Sequence, residues 1–207
     1  MKSDLHRLDL RVDDQLDDGL VDRYILIVFA LSLFLHIQEF QSGDSYCIFC
    51  QSEKGEIDIM ESRGNDHLTT PDGEEIGANA MGTTLHWGPD WSANQYLKTT
   101  KAYHLPDGAL YSADFHIWTL EWTPDGIHCS LDGHEYFTVL TEDGFWAKGE
   151  FDSDEPGRSN PWEYGPQNAP FDQKFYFLLN VAAGGTNNYF PEGSLSTPDG
   201  MSAYGMS

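Results

Sequence analysis

Gly55-Glu56-Ile57-Asp58-Ile59-Met60-Glu61-Ser62 sets acidic against apolar residues in alternation, and its reading decides the fold. Strand side chains point to opposite faces in turn, so Glu56 and Asp58 share one face while Ile57 and Ile59 point into a core. Glu61 breaks that rhythm, because an odd offset from Asp58 places it on the wrong side. One extra residue, a β-bulge near Met60, restores it. Three carboxylates then line one face of one strand.

Outward from this stretch the pattern stays β-rich. Residues 80–87, 95–100 and 115–123 are further candidate strands. The sharpest local signal is Asp132-Gly133 between the alternating runs 127–131 and 134–139, a hairpin whose turn needs positive φ at both positions. The nearly continuous apolar run 174–183 predicts a buried strand. Between 141 and 170 lies a long Gly-, Pro-, Asn- and Trp-rich stretch, of a length that carries function or a short helix. Many short strands, turn signals and little helix predict a two-sheet sandwich.

Residues 1–52 differ in character and are expected to lie outside the fold, with a domain over 53–193 and an irregular tail over 194–207. Leu8, Val12, Leu16 and Leu20 recur every four residues, which suggests a weak amphipathic helix. The apolar run 24–35 is short of the about 20 residues a membrane span needs. Asp13, Asp14, Asp17, Asp18 and Asp22 stand where a signal peptide needs positive charge, so an uncleaved signal anchor over 24–37 is the remaining membrane reading. Cys47 and Cys50 have the spacing of half a zinc site, but no second Cys or His pair follows, and with Cys129 they give no disulfide scaffold.

The 207 residues suit one domain with a sizeable core. A formal net charge of -23 repels phosphate and so excludes nucleic acid and anionic membranes as partners. A neutral polymer meets no such repulsion. Aromatic residues make up 14% of the chain, and these favour strands or form flat platforms for sugar rings.

Like charges held close on one strand are costly, so one carboxyl keeps its proton to a raised pH. Retaining glycoside hydrolysis uses that division, with one carboxylate attacking the anomeric carbon and another protonating the leaving oxygen. On spacing alone, a solvated acidic strand face fits equally well.

The run 55–65 resembles the active-site strand of glycoside hydrolase family 16, in its laminarinase branch with the animal β-1,3-glucanases and β-1,3-glucan-binding proteins. Further matches follow in order: Thr84-Leu85-His86-Trp87-Gly88-Pro89, Phe115-His116, Leu120-Glu121-Trp122-Thr123-Pro124-Asp125, Asn160-Pro161-Trp162 and Ala169-Pro170-Phe171-Asp172-Gln173. Leu179 to Thr186 and Tyr189-Phe190-Pro191 complete the set, over roughly 53–193. The resemblance implies an all-β, concanavalin-like jelly-roll β-sandwich. It also implies a secreted, monomeric endo-hydrolase of β-1,3-glucan, with Glu56 as nucleophile, Glu61 as general acid/base and Asp58 tuning the nucleophile. Binding-protein members of the group often lose one or both glutamates, and both stand here. A non-catalytic β-1,3-glucan-binding protein, or an inactive truncated fragment, is the alternative reading.

Around the acids, Arg63 and Asn65 are candidate hydroxyl donors to substrate, with an ion pair to a nearby carboxylate as the rival for Arg63. His86 is a structural or substrate-side hydrogen bonder, Trp87 either stacks on glucose or packs in the core, and Glu121 and Asn180 match positions of the family. No loop has the oxygen spacing of a dedicated calcium site, so neither metal nor cofactor is expected. The family carries strands before the catalytic strand and after Pro191 that residues 1–52 and the tail do not resemble. The sandwich is therefore expected to be incomplete at both ends, as in a truncated form of a longer protein.

Overall fold

A computed structural model describes residues 10–12, 24–29, 34–39, 55–65, 67–154, 156–180, 189–196 and 201–202; of these, 10–12, 24–29, 34–39, 180, 195–196 and 201–202 are described by their backbone. In chain order the strands are β1 (Leu10–Val12), β2 (Tyr24–Phe29), β3 (Phe34–Glu39), β4 (Glu56–Ser62), β5 (Leu68–Thr69), β6 (Ala80–His86) and β7 (Thr100–His104). After them come β8 (Ile117–Thr123), β9 (Gly126–Leu131) and β10 (His134–Leu140), helices α1 (Gly144–Gly149) and α2 (Phe151–Asp154), then β11 (Phe175–Asn180), β12 (Leu195–Ser196) and β13 (Met201–Ser202). One sheet runs β1-β2-β8-β9-β10 and another β11-β3-β4-β6-β7, with a small third sheet β13-β12-β5. The pairings are antiparallel, and the two-sheet all-β reading stands.

The apolar run after Tyr24 enters these sheets as β2 and β3: β2 pairs with β8, and β3 lies between β4 and β11. Six apolar residues are strand length, which suits a place inside a sheet. Leu10–Val12, read from sequence as helix, pairs with β2 as a strand. The rest of that predicted helix, and Cys47 and Cys50, lie outside the described residues. Among the described residues no helix is long and apolar enough to cross a membrane.

The core is where the two larger sheets face each other. Ile57, Ile59, Met81 and Leu85 from β4 and β6 join Trp118, Leu120, Ile127, Cys129, Leu131, Phe137 and Val139 from β8, β9 and β10. The Trp118 indole N–H donates to Met81 Sδ across the gap at 3.0 Å. The predicted hairpin is present, with Asp132 at φ 50 and Gly133 at φ 81. Asp132 also accepts hydrogen bonds from the Ile117 N–H and at His116 Nδ1, so the turn is tied to the start of β8. The stretch 95–100, expected as strand, is a 3-10 turn over Tyr96–Thr99 leading into β7. The run 174–183 forms β11 over Phe175–Asn180, but Tyr176, Phe177 and Leu179 are exposed, because β11 is an edge strand and not a central one. Within 141–170 the expected short helix appears as α1 and α2, whose Phe145 and Phe151 pack edge-on against Trp87.

The bulge predicted near Met60 is present. On β6, Thr84 faces Asp58 and Gly82 faces Glu61, so two steps on one strand match three on the other. On β3, His36 faces Asp58 and Leu35 faces Met60, which shows the same slip. A bulge takes its backbone out of the ladder, and a buried carbonyl then needs another partner. Ile59 O finds one in Thr83, fully buried, whose hydroxyl donates to it at 2.8 Å. That hydroxyl has one hydrogen, so at the 2.7 Å contact between the two oxygens Tyr136 donates to Thr83. Tyr136 comes from the opposite sheet, where it is the extra residue of a second bulge between Glu135 and Phe137. Two bulges thus face each other across the core, joined by a hydroxyl relay.

Replacing both hydroxyls, as Thr83→Val with Tyr136→Phe, leaves the Ile59 carbonyl buried without them. The double variant is expected to lose about 1–3 kcal/mol of stability in urea unfolding, and more than either single change.

Candidate active site

Glu56, Asp58 and Glu61 project from the face of β4 that points away from the core, as Ile57 and Ile59 are fully buried on the other. Glu56 and Asp58 are nonetheless buried, at 4% and 3% exposure, while Glu61 is half-buried. Glu61 opens on a cavity of about 510 Å³ whose walls include Arg63, Gly82, Thr84, His86, Tyr96 and Tyr189. The cavity floor is the outward face of β6 and β7, with Gly82 opposite Glu61 on one side and Ala102 on the other. An added Cβ at Gly82 would meet nothing within 4 Å, so the floor is open there.

The environment separates the carboxyl groups. Burial pushes Glu56 well above the usual carboxylate range, and the Asp58 charge adds to it, against a smaller opposing pull from His86. Burial pushes Asp58 up as well. Two acids this close titrate as a pair, which gives up its first proton more readily than its second. Glu61 is pushed up to about 7, by burial first and by Asp58 next, while His86 and Arg63 oppose. A carboxyl that keeps its proton near neutral pH is equipped as a general acid.

His86 Nε2 lies 3.0 Å from Asp58 Oδ2, and its ring stacks on Tyr96 at 5.3 Å between centroids. Among the described residues, Glu56, Asp58 and His86 are the one group whose ligand atoms lie close enough, within 4.8 Å of one another, to approach a cation.

The other residues singled out in the sequence fall in different places. Arg63 lines the cavity, but its guanidinium donates to the carbonyls of Tyr189 and, at 3.4 Å, Ile76, and lies 4.0 Å over the Tyr189 ring. It therefore acts as a clamp on Tyr189 more than as a reaching donor. Asn65 is half-buried just past β4, where its carbonyl accepts from the Ala78 N–H. Trp87 is not at the cavity. It is wholly buried, with its indole N–H donating to Thr99 Oγ1 at 2.7 Å, because the step past His86 at the end of β6 turns it to the core side beside Phe145. Glu121 is also elsewhere, on β8 between the core residues Leu120 and Trp122 in sequence. Strand parity sends it to the outer face of the opposite sheet. Asn180 ends β11, paired with Phe34, and its side chain lies outside what is described.

Tyr189, Tyr96, Thr84 and Gly82 were not identified from the sequence as site residues. Tyr189-Phe190-Pro191 was visible as a motif, but only the fold brings it to Arg63, 126 positions away. Strand parity offered the only other signal: Gly82 and Thr84 share the outward register with His86.

The sequence profile of glycosyl hydrolases family 16 matches residues 40–159. A β-1,3-glucan-binding protein of Penaeus monodon is 46% identical over 144 residues, covering 70% of this chain and 37% of that protein. The glucan endo-1,3-beta-glucosidase A1 of Niallia circulans is 32% identical over 131 residues, covering 63% of this chain and 15% of the enzyme. The chain thus spans well under half the length of these relatives. Among solved structures, an endo-beta-1,3-glucanase from Pyrococcus furiosus aligns over 79% of this chain and 57% of its own, with 22% identity and a TM-score of 0.43.

Glu61 carries a stability signature that tests its environment. Its folded pKa is raised from 4.5 to about 7, so between those values the unfolded chain loses the proton first and stability falls as pH rises. Glu61→Gln removes that slope. Its melting temperature is expected to match wild type near pH 4 and to exceed it at pH 8, by about 2–4 °C for each kcal/mol of relief.

Proposed function

Because the chain belongs to glycosyl hydrolase family 16, we propose that it cuts internal β-1,3-glucosidic bonds of laminarin-like glucans with retention of configuration. The observation that carries this reading is the unequal placement of three acids on one strand: a buried Glu56–Asp58 pair, and Glu61 protonated to about 7 at the wall of a cavity.

In the first step Glu56 attacks the anomeric carbon. The bond to the leaving sugar breaks as Glu61 gives its proton to the departing oxygen. Asp58 beside Glu56 keeps the pair's remaining proton, so Glu56 stays ionised in front of the substrate. In the second step ionised Glu61 takes a proton from water, the water oxygen bonds to the anomeric carbon, and the ester to Glu56 breaks. The raised Glu61 suits both halves, as an acid and then as a base at near-neutral pH. The sugar polymer is neutral, which agrees with an acidic surface, and the site of action proposed is extracellular.

A second reading is glucan recognition without turnover, and the 46% identity to a protein named for glucan binding favours it. Both glutamates are in place, which supports the hydrolase. Retention on insoluble β-1,3-glucan with no release of reducing ends would select the binding reading.

For the hydrolase, Glu56→Gln is expected to lower kcat on the order of 10⁴-fold or more while glucan binding persists. The roles separate on an activated aryl β-glucoside with azide. Glu61→Ala should be rescued with a β-glucosyl azide as product, and Glu56→Ala with an α-glucosyl azide. The reverse pattern would exchange the two assignments. Wild-type kcat should fall as pH rises past about 7, where Glu61 loses its proton.

A further inference from the structure

Asn94 is bound to the site by contacts that its neighbours in the loop do not share. Its Oδ1 accepts from the backbone N–H groups of Trp87, at 3.3 Å, and Tyr96, at 3.2 Å. Two donors hold the amide oxygen in place, so the orientation of the amide follows from its surroundings. Its nitrogen Nδ2 then faces His86 Nδ1 at 2.8 Å. An amide nitrogen has only hydrogens to offer, so Nδ1 must present its lone pair. A neutral imidazole with a bare Nδ1 carries its hydrogen on Nε2, and Nε2 is the atom 3.0 Å from Asp58 Oδ2.

We propose that Asn94 is a positioning residue that fixes His86 as the neutral Nε2–H tautomer, so that His86 serves the acid cluster as a donor to Asp58 and not as a base. This rests on the hydrolase reading for its consequence, but not for its geometry. Of the groups around the ring, Asp58, Glu56 and Glu61 on β4 are titratable, and Tyr96 stacks on it from the loop. With Oδ2 of Asp58 occupied by an N–H, a proton that Asp58 carries sits on Oδ1, the oxygen left open.

The loop is built for this contact. Asn94 must return to the end of β6 eight positions after His86, and Gly88 permits the close approach. A Cβ at Gly88 would lie 2.4 Å from Ala93 O and 3.1 Å from Asn94 Cα. The Gln95 N–H closes the loop on Trp87 O at 2.8 Å.

The test is long-range ¹H–¹⁵N correlation of the intact, ¹⁵N-histidine-labelled protein at about pH 9, above the ordinary imidazole range. His86 is assigned by the signal lost in His86→Gln. Wild type should show Nε2 protonated and Nδ1 bare. Asn94→Asp keeps an oxygen for the two backbone donors but offers no hydrogen to the ring, so it should move the hydrogen to Nδ1 or protonate both nitrogens. An Nδ1–H tautomer in wild type, or an unchanged tautomer in folded Asn94→Asp, would overturn the proposal. On laminarin, Asn94→Asp should lower kcat about 10- to 100-fold with little change in KM. Should wild type release no reducing ends, the hydrolase reading fails while the tautomer result still decides the role of Asn94.

Discussion

One carbonyl at a bulge organises this site. The extra residue in β4 breaks the regular register beside Ile59, whose buried carbonyl needs a hydrogen-bond donor. Thr83 and Tyr136 fill that need, one from the neighbouring strand and one from the facing sheet. The tie holds the bulge against the core, and the bulge in turn brings Glu61 to the face that Glu56 and Asp58 share. Without it, a plain strand would send the third acid to the core side, where a carboxyl has no place.

From that constraint the chemistry follows by environment. All three acids descend from one strand and one charge type, yet one opens to the cavity while two stay buried beside it. Burial raises all three, and the charge of Asp58 raises Glu56 and Glu61 further. The surrounding polar residues act chiefly on these acids. Arg63 tempers Glu61 by its charge and spends its hydrogen bonds on Tyr189, and His86 is held against Asp58.

The large aromatic residues serve the frame. Trp87 and Trp118, both fully buried, anchor opposite sheets, with Trp87 gathering Phe145 and Phe151 from the two short helices. A tryptophan in a Trp-Gly-Pro turn has the chemistry of a sugar platform, but its strand register turns this one inward. Tyr96 and Tyr189 are the aromatic rings at the cavity instead.

Local pattern was enough for much of the molecule. The alternation over 55–62 assigned the faces of β4, the odd step to Glu61 demanded the bulge, and Asp132-Gly133 set the β9–β10 turn, since each depends on backbone geometry a few residues long. Local reading failed for 95–100, where a 3-10 turn replaces the first part of the strand, and for burial of β11, because the place of a strand in its sheet is not written in its own residues. Side-chain roles at the site were beyond local reading for the same reason. Thr83, Tyr136, Asn94 and Tyr189 act through partners 8 to 126 positions away. The sequence by itself determined which residues carry charge and which face each strand residue takes. Only the tertiary structure decided which of those faces meet, because hydrogen bonds and desolvation depend on distance in space and not along the chain.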